Sequence, residues 1–324
     1  MDCSISNRTD RNPNVSRPIQ TWDASTVKVR IGFGPGIGQV GTSAEWFAGF
    51  VDDLEGLGFD SLWLPERLGG PTADPLVGLA FAAGRTKRLK LGTSVLVLPG
   101  RNPIVLAKEL ATLDSLSGGR FLPAFGLGVA DKVEQQAFGV KREERAAIFD
   151  EALDLVRRAW SGEPIEHDGA HFQVHGFRLT TLPAQGTLDV WLGGVAPSEL
   201  RRVGRHADGW LPSFVTPEEV AASRLVVEEA ASEAGRAIDP EHFGALVPYT
   251  LGEIPERFTA FLETRKPGVD PTDIVASGIP AIAEILRRFV DVGFSKFVLV
   301  PVFSPSDIHS ELEQLAEEVL PLQT

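Results

Sequence analysis

One cysteine, Cys3, is all that a chain of 324 residues carries. An internal disulfide is thereby excluded, and so is a thiolate cage for a metal; a reducing cytoplasm fits. Positive charge is also short, with 31 Lys and Arg against 44 Asp and Glu and a net charge of −13. That balance argues against nucleic acid as a partner, because phosphate binding needs a basic surface. No apolar run reaches the roughly 18 residues of a membrane span. The first 25 residues lack the apolar core of a secretory leader and read as a polar tail. No G-x-S-x-G elbow occurs, since Gly92-Thr-Ser-Val-Leu96 lacks the second glycine; a serine hydrolase is not expected.

What is present is a repeated strand–helix rhythm, clearest between Leu89 and Gly128. Leu91–Leu98 is an apolar run suited to a strand buried on both faces. Asn102 is a good N-cap and Pro103 suits the first helical position. Leu106, Leu110 and Leu113 then recur at helical spacing, Gly118-Gly119 stops the helix, and a second apolar run ends at Gly126 and Gly128. This is a βαβ unit, with its working edge at Leu98–Arg101 and Gly126–Asp131. Further strands are expected at Val27–Phe33, Phe59–Pro65, Leu188–Leu192, Asp208–Leu211, Phe243–Leu251 and Lys296–Val302. Helices are expected after a Thr42-Ser-Ala-Glu45 capping box, after Asp74, and over Lys141–Trp160, Ser198–His206 and Pro217–Ala234. Two more open at Pro280 and after Asp307. Eight alternating units in about 300 residues is the count of a (β/α)8 barrel. A doubly wound sheet is the alternative; in either fold the site lies at the carboxyl ends of the strands. Residues 162–187 break the rhythm and read as an insertion between strands 4 and 5, with a hairpin around Asp168-Gly169. The expected organisation is a tail over 1–25 and one α/β TIM barrel domain over 26–324.

Gly36-Ile-Gly-Gln-Val-Gly41 has the text of a dinucleotide fingerprint, with Glu66 at the next strand end. Its helix begins beyond the third glycine, so the motif reads rather as a loop over the barrel mouth. His167, His171 and His175 stand four apart, but the alternation around Asp168-Gly169 argues for a hairpin, not a metal face. Gly193-Gly194 and Val195, ahead of a helix, put backbone N–H groups beside a strand end; that suits either a phosphate or a tight turn. The loops Gly34–Gly41, Gly69–Ala73, Ala130–Gln136 and Ser213–Thr216 carry no diagnostic pattern.

Taken in order, Gly58-Phe-Asp-Ser-Leu-Trp-Leu-Pro-Glu66, Leu91-Gly-Thr-Ser-Val-Leu96, Arg101-Asn-Pro103, Leu106-Ala-Lys-Glu-Leu-Ala-Thr-Leu-Asp114, Ser117-Gly-Gly-Arg120, Gly193-Gly194, Ala207-Asp-Gly-Trp210 and Gly278-Ile-Pro280 resemble the luciferase-like monooxygenase superfamily. The resemblance implies a (β/α)8 barrel binding a flavin, or the deazaflavin coenzyme F420, at the carboxyl ends of its strands. Leu-Gly-Thr-Ser-Val looks like the branch that uses the deazaflavin, with FMN as the alternative coenzyme. Members of that branch carry a non-prolyl cis peptide, which falls here at Ser94–Val95. The implied coenzyme contacts are Ser94, Val95, Gly126, Gly128, Gly193, Gly194 and Val195. Glu66 and Arg67 are the candidate catalytic side chains, Arg67 holding an anionic substrate or the charge of the reduced ring, or else pairing with Glu66 in a salt bridge. The sugar-phosphate dehydrogenases of this branch carry His and Glu where this chain has Arg67 and Val129, so their reaction is not implied. Expected partners are a small organic substrate and, as in similar barrels, a second copy in a homodimer. A non-catalytic ligand-binding barrel and a nicotinamide dehydrogenase are the readings from other classes.

Overall fold

Eight parallel strands pair in sequence order and close on themselves in the computed structural model, which describes residues 27–36, 43–129, 131–303 and 305–324. The strands are Arg30–Phe33, Ser61–Leu64, Lys90–Thr93 continuing as Leu96–Val97, and Phe121–Leu122 continuing as Ala124–Gly126, then Trp191–Leu192, Gly209–Trp210, Gly244–Thr250 and Lys296–Pro301. The eighth strand returns to the first in register, Arg30 opposite Lys296 and Phe33 opposite Leu299. The sixth meets the seventh through two isolated bridges, Trp210 to Phe243 and Ser213 to Leu246. This circuit is the expected (β/α)8 barrel and rules out the doubly wound sheet, which has two free edges.

Two tryptophans fill the barrel interior, and glycines make room for them. A Cβ on Gly92 would fall 2.2 Å from the Trp63 ring, and one on Gly209 would fall 2.4 Å from the Trp191 ring. With Ala124, Leu211 and Val298 they form an inner plug, and Val95 packs against it. Outward residues of the same strands, Ile31, Phe33, Leu62 and Leu91 among them, join the helices in the larger core.

The helix boundaries follow their caps. The Asn102 side chain accepts from the N–H groups of Ile104 and Val105 at 3.0 and 3.1 Å, Pro103 opens the helix, and Gly118 closes it at a φ of +71° that favours glycine. Asp74 and Asp307 cap their helices as expected. The first helix, Ala44–Leu57, is capped by Ser43, one residue later than expected, with its hydroxyl accepting from Trp46 N–H at 3.2 Å. Thr42 and most of the Gly36–Gly41 motif lie outside the described residues, as does the N-terminal tail.

Two other boundaries differ from expectation. The loop expected over Ala130–Gln136 contains a short helix, Lys132–Ala137, capped by Asp131. The long helix starts at Arg145, because Lys141–Glu144 form a turn joined by their own ion pair. The insertion is the expected antiparallel hairpin, Ile165–Asp168 with Gln173–Phe177. His167 bonds Glu151 at 2.9 Å and His175 lies between Glu166 and Asp168. Among the described residues no helix is long and apolar enough to cross a membrane.

Candidate active site

The second strand ends at Glu66 and Arg67, and the structure sends the two side chains to different partners. The Glu66 carboxylate is buried, with 1% of the side chain exposed. One oxygen accepts from Val97 N–H at 2.6 Å and the other from the Arg101 guanidinium. The Glu66 N–H donates to Val95 O at 3.2 Å. One residue thus ties the end of the second strand to the chain just after the Ser94–Val95 bond. Burial pushes the Glu66 carboxyl above its usual range; Arg101 and the Val97 N–H pull the other way without cancelling the shift.

Arg67 does not pair with Glu66. Its Nε donates to Glu134 at 3.0 Å, and the other Glu134 oxygen accepts Leu68 N–H at 3.2 Å. Glu134 is buried on the short helix after the fourth strand, so Arg67 is held by a residue two units further along the barrel. Arg101 and Glu134 escaped the sequence reading as site residues. Arg101 closes the edge Leu98–Arg101 of the βαβ unit, and Asp131-x-x-Glu134 has the spacing of a helix start.

The peptide bond Ser94–Val95 is cis, as the resemblance implied. Val95 sits half-buried at the top of the inner plug. Around it the strand ends are bare: a Cβ on Gly126 would lie 2.5 Å from a Val95 methyl, one on Gly193 3.6 Å from the other, and one on Gly128 3.1 Å from Val97. The first strand also ends in glycine, Gly34, where a Cβ would press on Trp63 O at 3.0 Å. Glycines at two strand ends beside one valine make a floor without side chains, which a flat ring system fits.

At the fifth strand end, Gly194 has a φ of +97° and its carbonyl accepts the Trp210 indole N–H at 3.0 Å. The N–H groups of Val195 and Ala196 both donate to Glu199 at 3.0 Å. That carboxylate already occupies the helix start that the sequence left open to a phosphate or a tight turn. A cation stands nearby instead. Arg145, from the long helix, donates to the carbonyls of Leu127, Gly128 and Val129 at 3.0, 3.1 and 3.2 Å. Burial lowers its pKa, but a guanidinium remains charged at neutral pH. Gly128, Val129, Glu134, Gln135 and Arg145 line a small recess there.

Comparison with known proteins supplies a family. A family model described as luciferase-like monooxygenase matches residues 28–285. The phthiodiolone/phenolphthiodiolone dimycocerosates ketoreductase of Mycobacterium kansasii is 35% identical over 199 residues, 57% of this chain and 54% of that protein. The chain therefore spans about half the length of the first curated relatives it matches. An F420-dependent glucose-6-phosphate dehydrogenase of Intrasporangium calvum is 29% identical over 310 residues, covering 82% of this chain and 91% of that one. Among solved structures, an F420-dependent secondary alcohol dehydrogenase in complex with an F420-acetone adduct superposes with a TM-score of 0.76 at 20% identity, over 92% of this chain and all 100% of that one. The oxygenating constituent of 3,6-diketocamphane monooxygenase from Pseudomonas putida, in complex with FMN, gives 0.73 at 18% identity, over 92% and 99%. At these identities the two structures attest the fold.

Proposed function

The chain belongs to the luciferase-like monooxygenase family, and we propose that within it this protein is a coenzyme F420-dependent oxidoreductase, moving hydride between the deazaflavin and a small organic carbonyl or alcohol. The observation that carries the reading is the alignment with the F420-dependent dehydrogenase, which runs through 91% of that relative. When bound, the deazaflavin supplies a carbon that gives or takes hydride as one two-electron unit.

The chain's own residues would divide the rest of the work. Val95, Gly126 and Gly193 form the floor for the ring, with Ser94 beside it. Gly128, and Gly194 with Val195 on the facing loop, flank the tail. Because Glu199 already neutralises the amides at 195 and 196, the charge for a phosphate falls to Arg145 and the loop after Gly128. Glu66, with both oxygens engaged, acts through Val97 and Arg101 as a positioning residue. Arg67 faces the mouth from the end of the second strand, and there a guanidinium stabilises negative charge developing on a substrate oxygen.

The glucose 6-phosphate of the relative does not carry over. Arg67 and Val129 stand where that branch has its histidine and glutamate, so this chain lacks the acid–base pair. An FMN-dependent monooxygenase is the second reading, favoured by the FMN-bound neighbour. Fluorescence titration of the purified protein with F420 and with FMN tests the two. At least tenfold tighter F420 binding, together with reduction of a ketone by reduced F420, is the expected result. Tighter FMN binding would overturn it in favour of the second reading. F420 binding with no turnover across aldehydes, enones and alcohols would mark a non-catalytic barrel.

A further inference from the structure

The rim of the barrel carries exposed apolar side chains, and three of its cations are held in ion pairs. Of the twelve large hydrophobic side chains exposed among the described residues, five stand on the strand-to-helix connections: Leu68, Val133, Val195, Leu251 and Phe261. Only Phe177 and Leu182, both in the insertion, lie on the opposite connections. Isolated exposed apolar residues are ordinary, but a set gathered around one concave mouth marks a ligand site.

One side of that rim is built as an aromatic wall. Phe214 follows the sixth strand, and Phe258 and Phe261 come from the helix Glu256–Arg265 after the seventh. The three rings meet pairwise with centroids 5.5 to 6.3 Å apart. Leu262, Ile274 and Val275 support them from below. Phe214 has a φ of +55° and is the one non-glycine residue at positive φ among those described. Holding a bulky residue there costs on the order of 1 kcal/mol or more and persists only where the surroundings require it. Here the requirement is to keep the ring at the strand end, next to the Ser213–Leu246 bridge, against Phe258 and Phe261.

Three cations on the same rim are held in ion pairs, and two lie over aromatic rings. Arg67 is paired with Glu134, Arg101 with Glu66 and Lys266 with Glu219. Arg265 lies over the Phe214 ring at 5.0 Å and Arg257 over the Phe303 ring at 3.8 Å. A phosphorylated substrate drawing on Arg67, Arg101 or Lys266 would have to break an ion pair.

We propose that the substrate is an uncharged ketone or secondary alcohol with a bulky apolar body, and that this body packs on the wall of Phe214, Phe258 and Phe261. This deepens, and rests on, the function proposed above. In the reducing direction the carbonyl carbon receives hydride from the reduced deazaflavin, the C=O π pair moves to oxygen, and oxygen takes a proton from water. The coenzyme leaves oxidised by two electrons.

The test is a homologous series, 2-butanone to 2-decanone, with glucose 6-phosphate as the charged control. Binding to the full chain is read by isothermal titration with and without F420, and kcat/KM is read with reduced F420. We expect affinity and kcat/KM to rise with length, by up to about fourfold per methylene, until the wall is covered. Phe261→Ala, at an exposed position, and Phe258→Ala should flatten that rise through KM while the Kd for F420 stays within twofold. No dependence on length, or a preference for glucose 6-phosphate, would overturn the proposal. So would a dimer that Phe261→Ala dissociates in sedimentation velocity, because a second copy would then cover this face. A length dependence that survives without any F420 binding would sink the coenzyme reading alone and leave the apolar wall standing.

Discussion

Glutamine in place of Glu66 should leave the protein within about 1 kcal/mol of its natural stability at neutral pH, whereas alanine should cost about 3 kcal/mol. The difference follows from what each replacement removes. Alanine takes away the acceptor of Val97 N–H, a buried donor whose loss of partner costs about 1–3 kcal/mol. It also removes buried methylenes worth about 0.8 kcal/mol each. Glutamine keeps an acceptor for Val97 and gives up the bond from Arg101, but it also removes a buried negative charge, and these effects oppose each other. The pH dependence separates them. Burial raises the Glu66 pKa above its ordinary 4.5, so the folded protein favours the protonated form. The stabilisation is then complete below that ordinary value and fades as pH rises through the folded one. Urea unfolding of both proteins between pH 4 and pH 8 should show the natural chain losing ground to Glu66→Gln as pH rises. Glu66→Ala should lower the thermal midpoint by roughly 6–12 °C at all of these pH values. If glutamine proves as damaging as alanine, or the natural chain gains on Glu66→Gln with rising pH, then the Arg101 ion pair outweighs burial and the reasoning is wrong.

Other consequences can be measured directly. Gly126→Val puts atoms within 2.5 Å of the Val95 side chain; it should cost about 1–3 kcal/mol in stability and weaken coenzyme binding at least tenfold by fluorescence titration. Arg145→Ala should raise the coenzyme Kd roughly tenfold and reduce its salt dependence, since one of the charges facing the phosphate would be gone; an unchanged Kd would move the phosphate elsewhere. Glu134→Ala frees Arg67 and Leu68 N–H, and it should lower kcat about tenfold with little change in the coenzyme Kd, while Glu134→Gln, which can still accept one of the two bonds, should recover part of the loss.

The barrel was legible in the sequence because its strands are buried on both faces and are separated by helices with strong caps. Asn102, Asp74 and Asp307 mark helix starts in the sequence, and Gly118 marks an end. The short helix Lys132–Ala137 was not legible, since six residues of mixed polarity show no apolar period. Pairings between units of the barrel were beyond reach for a different reason. Arg101 meets Glu66 from 35 residues away and Arg67 meets Glu134 from 67, and no local pattern encodes which carboxylate a guanidinium will find. The aromatic wall was hidden in the same way, because Phe214 and Phe258 belong to different units of the repeat. The glycines at 126, 128, 193 and 194 are visible as a pattern, but what a side chain would meet, Val95 at Gly126, Val97 at Gly128 and Glu199 at Gly194, required the fold.

The seam between the sixth and seventh strands is stitched at only two points, Trp210–Phe243 and Ser213–Leu246, whereas the seventh and eighth match over six consecutive residues. A hoop of staves gives first at its loosest joint, so the amide proton of Leu246, which crosses that joint to Pro212 O, should exchange with solvent sooner than those of Ala245 and Val247 beside the eighth strand. Phe214 stands on that joint. A guest pressing on its ring would draw the joint shut, and slower exchange at this one place would then report an occupied mouth.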